Sequence, residues 1–406
     1  MTITMEKKDV PVLLLTGYLG SGKTTLLNRI LANRKGIKFA VIVNDLGEVN
    51  IDSELIEKGG IVGQGDDSLV ALQNGCICCT LKMDLVEQIT DLTRTGKFDY
   101  IVIEASGICE PAPIAQTIVS IPYLGPQYMD INLPKMDCIV TVVDALRMKS
   151  EFECGDALRK DDLGDEDLER LVIEQIEFCN IVLLNKAAEV SSEELGRVRS
   201  IVKALNPKAT IYECNYGDID LDKIINTGMF DFDKVATSAS WIEALEGDDH
   251  GEHGEHEHEH EHEHEHEHGH EHHHHHHHDD EGEAEEYGIG TYVYYSRHPL
   301  DFNKFDYYVT KKWPAGIIRA KGTCYFADEM DKCYLFEQAG IQKTVKDAGL
   351  WFAAMPKDQL AEMILRDRKL QRDWDQEYGD RMVKIVFIGQ HLDKNAIDEF
   401  MESVKA

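Results

Sequence analysis

No run of about 18 apolar residues occurs in the 406-residue chain, which excludes a membrane-crossing helix on length alone. Basic charge is also short: 42 Lys and Arg stand against 75 Asp and Glu, a net charge of −33. Nucleic acid and anionic membranes both need a basic surface, so neither is expected as a partner. No plausible cleavage site follows the apolar run at residues 10–15, which therefore reads as a buried first strand and not as a secretory leader. The ten cysteines lack the spacing of a disulfide framework: seven are scattered, and three crowd together as Cys76, Cys78 and Cys79. Near-vicinal thiols of this kind suit a reducing compartment and a soft metal, so a cytoplasmic protein is expected.

One segment lacks basic residues altogether. Between Glu243 and Glu286 there are 19 Asp and Glu and no Lys or Arg, so removing it takes the net charge from −33 to −14. Seventeen of the 19 histidines also fall there, between His250 and His278, alternating with Glu and then running uninterrupted from His272 to His278. From about Gly247 to Glu286 almost nothing could form a core, and residues 237–286 are read as an acidic, His-rich disordered linker. Its imidazoles are mostly neutral near pH 7, although the neighbouring glutamates favour protonation. They suit Zn²⁺, Ni²⁺, Cu²⁺ or Co²⁺, which points to metal handling without naming the metal. The tract is read as a weak multi-ion reservoir, with a plain solvating spacer as the alternative.

Before the linker, apolar β-branched runs at 10–15, 39–43, 100–103, 138–143, 181–184 and 210–212 alternate with amphipathic stretches at 23–33, 81–95, 168–178 and 193–204. This is the pattern of an α/β fold with a doubly wound, mainly parallel sheet, whose crevice opens at the carboxyl ends of the strands. After it, strands at 289–295, 317–325 and 383–388 and helices at 360–368 and 396–404 predict a smaller α+β domain. The division expected is 1–236, 237–286 and 287–406.

Directly after the first run stand Gly17-Tyr-Leu-Gly20-Ser21-Gly22-Lys23-Thr24, then Thr25 and a helix. Strand, glycine-rich loop and helix in this order form a triphosphate cradle of backbone N–H groups. Lys23 then faces the β/γ-phosphates and the Thr24 hydroxyl faces Mg²⁺. Glu104, which closes the run at 100–103, suits Mg²⁺ or its water, and Gly107 suits a backbone contact near the γ-phosphate. The acidic loop at 44–52 occupies the place of a nucleotide-sensing switch. Asn185-Lys186 ends another strand like the first half of a guanine-reading N-K-x-D element. Its Asp position holds Ala188, with Glu189 next, so guanine is expected but with weakened discrimination against ATP.

Asn74-Gly-Cys76-Ile-Cys78-Cys79 sets three thiolates within four residues, a donor set for Zn²⁺ or Cu(I). The fourth position is open to Glu48, Asp45, Asp52, a water or a histidine of the tract, and Glu48 is the leading choice. Cys109, Cys138, Cys179, Cys214, Cys324 and Cys333 are expected to be packing residues. His298 and His391 are minor candidates as ligands.

Together, the P-loop, the Cys-x-Cys-Cys motif, Glu104-Ala-Ser-Gly107 and the stretch at 374–389 resemble the CobW-type metallochaperone GTPases. That group includes zinc metallochaperones, cobalamin-biosynthesis CobW proteins and nitrile hydratase activators. The resemblance spans both domains. It implies a Mg²⁺-dependent GTPase that delivers a metal, zinc first with cobalt or nickel behind it, to a client metalloprotein. Lys23, Thr24 and Glu104 take the phosphate and Mg²⁺ roles, and Cys76, Cys78 and Cys79 the cargo metal. A metal buffer with vestigial hydrolysis and a nickel-insertion GTPase are the alternative readings.

Overall fold

The structure, a computed structural model, describes residues 9–32, 36–44, 69–74, 82–125, 128, 132–151, 166–232, 235, 287–340, 342–356, 359–360, 363–364, 370–371 and 374–406. The first strand sets the logic of the rest. In β1 (Val10–Thr16), Val12 and Leu14 enter one core cluster while Leu13 and Leu15 enter another. A strand alternates its side chains between two faces, so an uninterrupted apolar strand must be covered on both.

The other strands of this sheet are β2 (Phe39–Asn44), β3 (Leu69–Asn74), β4 (Tyr100–Glu104), β5 (Pro134–Asp144), β6 (Ile181–Asn185) and β7 (Thr210–Glu213). Among the described residues they pair in parallel in the order β3-β2-β4-β1-β5-β6-β7. Covering helices are α1 (Lys23–Ala32), α2 (Lys82–Thr95), α3 (Pro111–Ser120), α4 (Ala145–Glu151), α5 (Glu166–Glu177) and α6 (Ser192–Leu205). The start of α6 is fixed by a capping box: the Ser191 side chain accepts from the Glu194 N–H, and the Glu194 carboxylate accepts from the Ser191 N–H.

The C-terminal part contains β8 (Ile289–Ser296), α7 (Phe302–Lys311), β9 (Ile317–Cys324), β10 (Lys332–Ala339), β11 (Gln342–Leu350), β12 (Val383–Gln390) and α8 (Lys394–Ser403). Its strands form an antiparallel sheet ordered β11-β10-β9-β12-β8. Ile289, Ala339, Val386 and Ile388 pack into the same cluster as Val198, Ile201 and Val202 of α6, so one apolar core runs through both sheets.

Every strand expected from the apolar runs is present, and the four amphipathic stretches before the linker are helices. Additions to the expectation are α3, α4, α7 and the β10–β11 hairpin. Within the helix expected at 360–368, residues 360, 363 and 364 are described and are helical. The linker lies outside the described residues. Among the described residues, no helix is long and apolar enough to cross a membrane.

Candidate functional site

Strand register brings the chemistry to one edge. Thr16 pairs with Thr141, Leu15 and Val43 both pair with Glu104, Asn44 with Asn74, and Asp144 with Asn185. The last residues of β3, β2, β4 and β1 therefore stand within one residue of each other at the carboxyl edge. Strands β5 and β6 end level with each other three residues further on, at the side where a doubly wound sheet places its ligand crevice.

Between β1 and α1 the loop turns through Gly17 (φ 131°), Gly20 (φ 80°) and Gly22 (φ 107°), a backbone that L side chains avoid. Space forbids a side chain as well. A Cβ at Gly17 would lie 2.3 Å from the Val142 carbonyl oxygen, and one at Gly22 would lie 2.3 Å from Asn185 Nδ2. The loop is thus a close-walled cradle. Ser21 Oγ is buried within it and has no hydrogen-bond partner among the described residues. Lys23 Nζ donates to the Tyr18 carbonyl across the loop at 3.1 Å.

Glu104, at the end of β4, is 2 % exposed. Its Oε1 accepts from the Thr24 hydroxyl at 3.0 Å. Gly107 touches the cradle directly: a Cβ there would meet Leu19 N at 2.6 Å. The expected trio Lys23, Thr24 and Glu104 is therefore assembled at one place, with Gly107 against its wall.

Asn185 acts on this cradle instead of reaching outward. Its Nδ2 donates to the Ser21 carbonyl at 2.8 Å, while its Oδ1 accepts from the Gly217 N–H at 3.1 Å. One side chain thus ties the phosphate loop to the turn after β7. Lys186 adopts a left-handed conformation (φ 59°), and its ammonium pairs with Asp144 Oδ2 at 2.5 Å. The Asp144 Oδ1 accepts from the N–H groups of Leu146 and Arg147 and so fixes the start of α4. Ala188 is exposed, and its N–H donates to Asn215 Oδ1.

Sequence reasoning passed over Asp144 and the turn at Asn215–Gly217. Asp144 carries the same signature that singled out Glu104, an acid closing an apolar run. The turn carries Asn and Gly directly after a strand, the usual punctuation of a loop.

Cys76, Cys78, Cys79, Asp45, Glu48 and Asp52 lie outside the described residues, so the thiol site is a matter for proposal. Among the described residues, no group of three His, Cys, Asp or Glu side chains is placed to hold a metal ion, and neither His298 nor His391 joins one. Cys109, Cys138, Cys179, Cys214 and Cys324 are buried packing residues, as expected, and Cys333 is half-buried. Burial raises the thiols of Cys138, Cys179 and Cys214, the last two to about 12 and about 11, so they stay protonated and poor as ligands near neutrality.

A glycine cradle opening a helix, an acid beside its Thr and an Asn clamp from a distant strand define a P-loop nucleoside-triphosphatase. Residues 11–213 match the CobW/HypB/UreG nucleotide-binding domain, and residues 289–405 match the cobalamin synthesis protein CobW C-terminal domain. The chain belongs to the CobW/HypB/UreG family and is a P-loop GTPase.

It is 33% identical over 401 residues to the zinc-regulated GTPase metalloprotein activator 1 of Dictyostelium discoideum, spanning 94% of this chain and 76% of that protein. It is 34% identical over 233 residues to the zinc chaperone YjiA of Escherichia coli, spanning 54% of this chain and 62% of that one. The solved structure of Zn(II)-bound YjiA GTPase from E. coli aligns with 98% of this chain and 100% of its own, at 19% identity and a TM-score of 0.40.

Proposed function

We propose that this protein is a GTP-driven zinc carrier. It loads the ion at Cys76, Cys78 and Cys79, with Glu48 as fourth donor, and couples hydrolysis to its release into a client metalloprotein in the cytoplasm. Three segments divide the work: a nucleotide domain at 1–236, a metal-rich linker at 237–286 and a C-terminal domain at 287–406. Relatives named as zinc chaperones and zinc-regulated GTPases favour zinc over cobalt and nickel.

One observation carries the reading. Asn74 closes β3 level with Asn44, and Val43 lies level with Glu104. In sequence, Cys76 follows Asn74 by two residues, and Asn74 ends β3 at the carboxyl edge that holds the phosphate-site acid. Only the width of β2 separates the end of β3 from Glu104.

On the nucleotide side, Gly17, Gly20, Ser21, Gly22 and Thr25 wrap the phosphates, and Asn185 holds the loop in shape. The buried Ser21 hydroxyl gains a partner from a phosphate oxygen. Lys23 exchanges the Tyr18 carbonyl for the β/γ-phosphates, and the Gly107 N–H faces the γ-phosphate. Lys186, held by Asp144, flanks the base. The half-buried Thr24 hydroxyl and the buried Glu104 carboxylate are hard oxygen donors, a fit for Mg²⁺, which when bound neutralises charge on the β- and γ-oxygens.

The test is zinc affinity measured with GDP and with a non-hydrolysable GTP analogue bound. A coupling of about 1–3 kcal/mol gives affinities differing about 5- to 150-fold. Equal affinities in the two states would remove hydrolysis from the delivery step and leave a nucleotide-independent buffer. Cys78→Ser should abolish the tight site while GDP binding stays as it was.

A further inference from the structure

Helix α5 lies between the two sheets, against β5 on one side and β10 and β11 on the other. Two of its residues face these neighbours with polar side chains that are almost wholly buried. Gln175, 1 % exposed, turns towards the nucleotide domain. Its Nε2 donates to the Cys109 carbonyl at 3.2 Å and to the Gly107 carbonyl at 3.5 Å. Its own backbone carbonyl accepts from the Thr141 hydroxyl, which stands 2.8 Å from the hydroxyl of Thr16, the residue before the phosphate loop. Gln175 thus bonds the turn that walls the loop directly and reaches the strand that launches the loop through Thr141.

Glu177 comes two residues later, about 200° around the helix and so on the other side. It grips Arg319 of β9 with both oxygens, Nε to Oε1 at 2.9 Å and an Nη to Oε2 at 3.0 Å. Arg319 is itself 1 % exposed. The turn at Gly107 leads to the same interface. Partial burial raises the Glu110 carboxyl above its ordinary value, Glu174 adds to the rise, and Arg170 and Lys346 oppose it. Lys346 belongs to β11 and pairs with Glu337 of β10.

We infer that Gln175 is a positioning residue for GTP hydrolysis: it pins the Gly107–Cys109 turn against the phosphate loop, and the Glu177–Arg319 pair makes the seating of the C-terminal domain part of that positioning. The chemistry requires this kind of support. Gly107 has no side chain to hold it, and its contact with Leu19 has little room to spare, so the turn's place is set by what its carbonyls bind. A helix gripped from both sides moves as a unit, and a shift of the C-terminal sheet is passed to the turn through α5. The inference rests on the assignment of Gly107 to the γ-phosphate.

The test uses the full chain and three readouts: GTP turnover, GDP affinity and the unfolding midpoint. Gln175→Leu keeps the volume and removes both donors. Losing this support should lower kcat about tenfold with GDP affinity changed less than about twofold. Unchanged kcat, or a fall matched by an equal loss of GDP affinity, overturns the role. Glu177→Met combined with Arg319→Met replaces the ion pair by apolar volume, which buried sites tolerate. It should lower kcat as well, and adding Gln175→Leu to it should cost less than the product of the separate effects. If the Met pair leaves kcat untouched, the C-terminal domain has no part in positioning. Gly107→Ala separates the layers: if it leaves turnover intact, the γ-phosphate assignment fails, whereas if it abolishes turnover while Gln175→Leu does not, only this inference fails.

Discussion

At the scale of single residues, the site depends on places where a side chain is forbidden and on side chains that hold others. Gly22 combines a φ of 107° with a wall 2.3 Å from where a Cβ would stand, and that wall is the Asn185 amide that clamps the loop. Gly22→Ala must therefore either displace the clamp or flatten the cradle. GDP affinity measured by calorimetry should fall by at least tenfold, from about 1.4 kcal/mol of lost loop geometry. Ala188 offers the opposite experiment. The position is exposed, and its backbone is already tied to Asn215. Ala188→Asp should restore a carboxylate for the guanine N1 and N2 donors and widen the GTP-over-ATP ratio of kcat/KM by at least about tenfold. A ratio that does not move means that the base is read elsewhere. Glu104 and the phosphate loop were legible because their signatures are local, a carboxylate or glycine array at the end of an apolar run. Gln175 carries no such signal. Its importance comes from a helix lying across a turn 66 residues away, which no spacing in the chain reveals.

At the scale of elements, the parallel sheet was legible because burial on both faces leaves uninterrupted apolar runs, while the edge of the second sheet was not. In β11 most residues are exposed and its polar and apolar residues do not alternate, since an edge strand owes its place to hydrogen bonds with β10 more than to its own burial. Helix α7 was missed for a related reason. Its sequence is rich in aromatics and β-branched residues of low helix propensity, and it is held by an Asp301 cap and by Phe305 and Val309 packed in the core.

The β9–β11 sheet also carries a charge device with a measurable signature. Burial alone would raise the Glu337 carboxyl, but the hydrogen bond and charge of Lys321, with Lys346 and Arg319, overcome it and bring it to about 2. A carboxyl lowered on folding contributes stability that is fully present above its unfolded value. That stability is lost as pH falls from about 4.5 towards about 2. Lys321→Met should therefore reduce stability at pH 7 and flatten the loss between pH 4.5 and 2, as read from urea midpoints across that range. A slope identical to that of the unaltered protein would mean that Glu337 is not held by Lys321.

At the scale of the whole molecule, the two sheets share one apolar core and are pinned across it by a buried ion pair and by Arg197 of α6, which donates to Gln390 of β12 at 2.7 Å. Removing one partner of such a pair strands a buried charge. Arg319→Met alone should thus cost about 3–5 kcal/mol in urea unfolding, and adding Glu177→Met should recover most of it.

The residues on either side of the linker are held to this frame. Val235 packs into the core, and the Tyr287 carbonyl accepts from Gln390 Nε2 at 3.0 Å. The histidines are therefore tethered at both ends to the body that carries the phosphate site. On the proposed reading their contribution is one of local concentration: many weak imidazole sites would raise the supply of metal to the thiols without altering how tightly the thiols hold it. Deleting residues 250–278 should accordingly lower the number of zinc ions bound per chain and slow loading at limiting zinc. Zinc affinity of the thiol site and GTP turnover at saturating metal should both stay as they were. Equilibrium dialysis with turnover measured on the same samples distinguishes the cases. Undiminished stoichiometry would make the tract a spacer, whereas a lost thiol affinity would make one of its histidines a ligand of the tight site in place of Glu48.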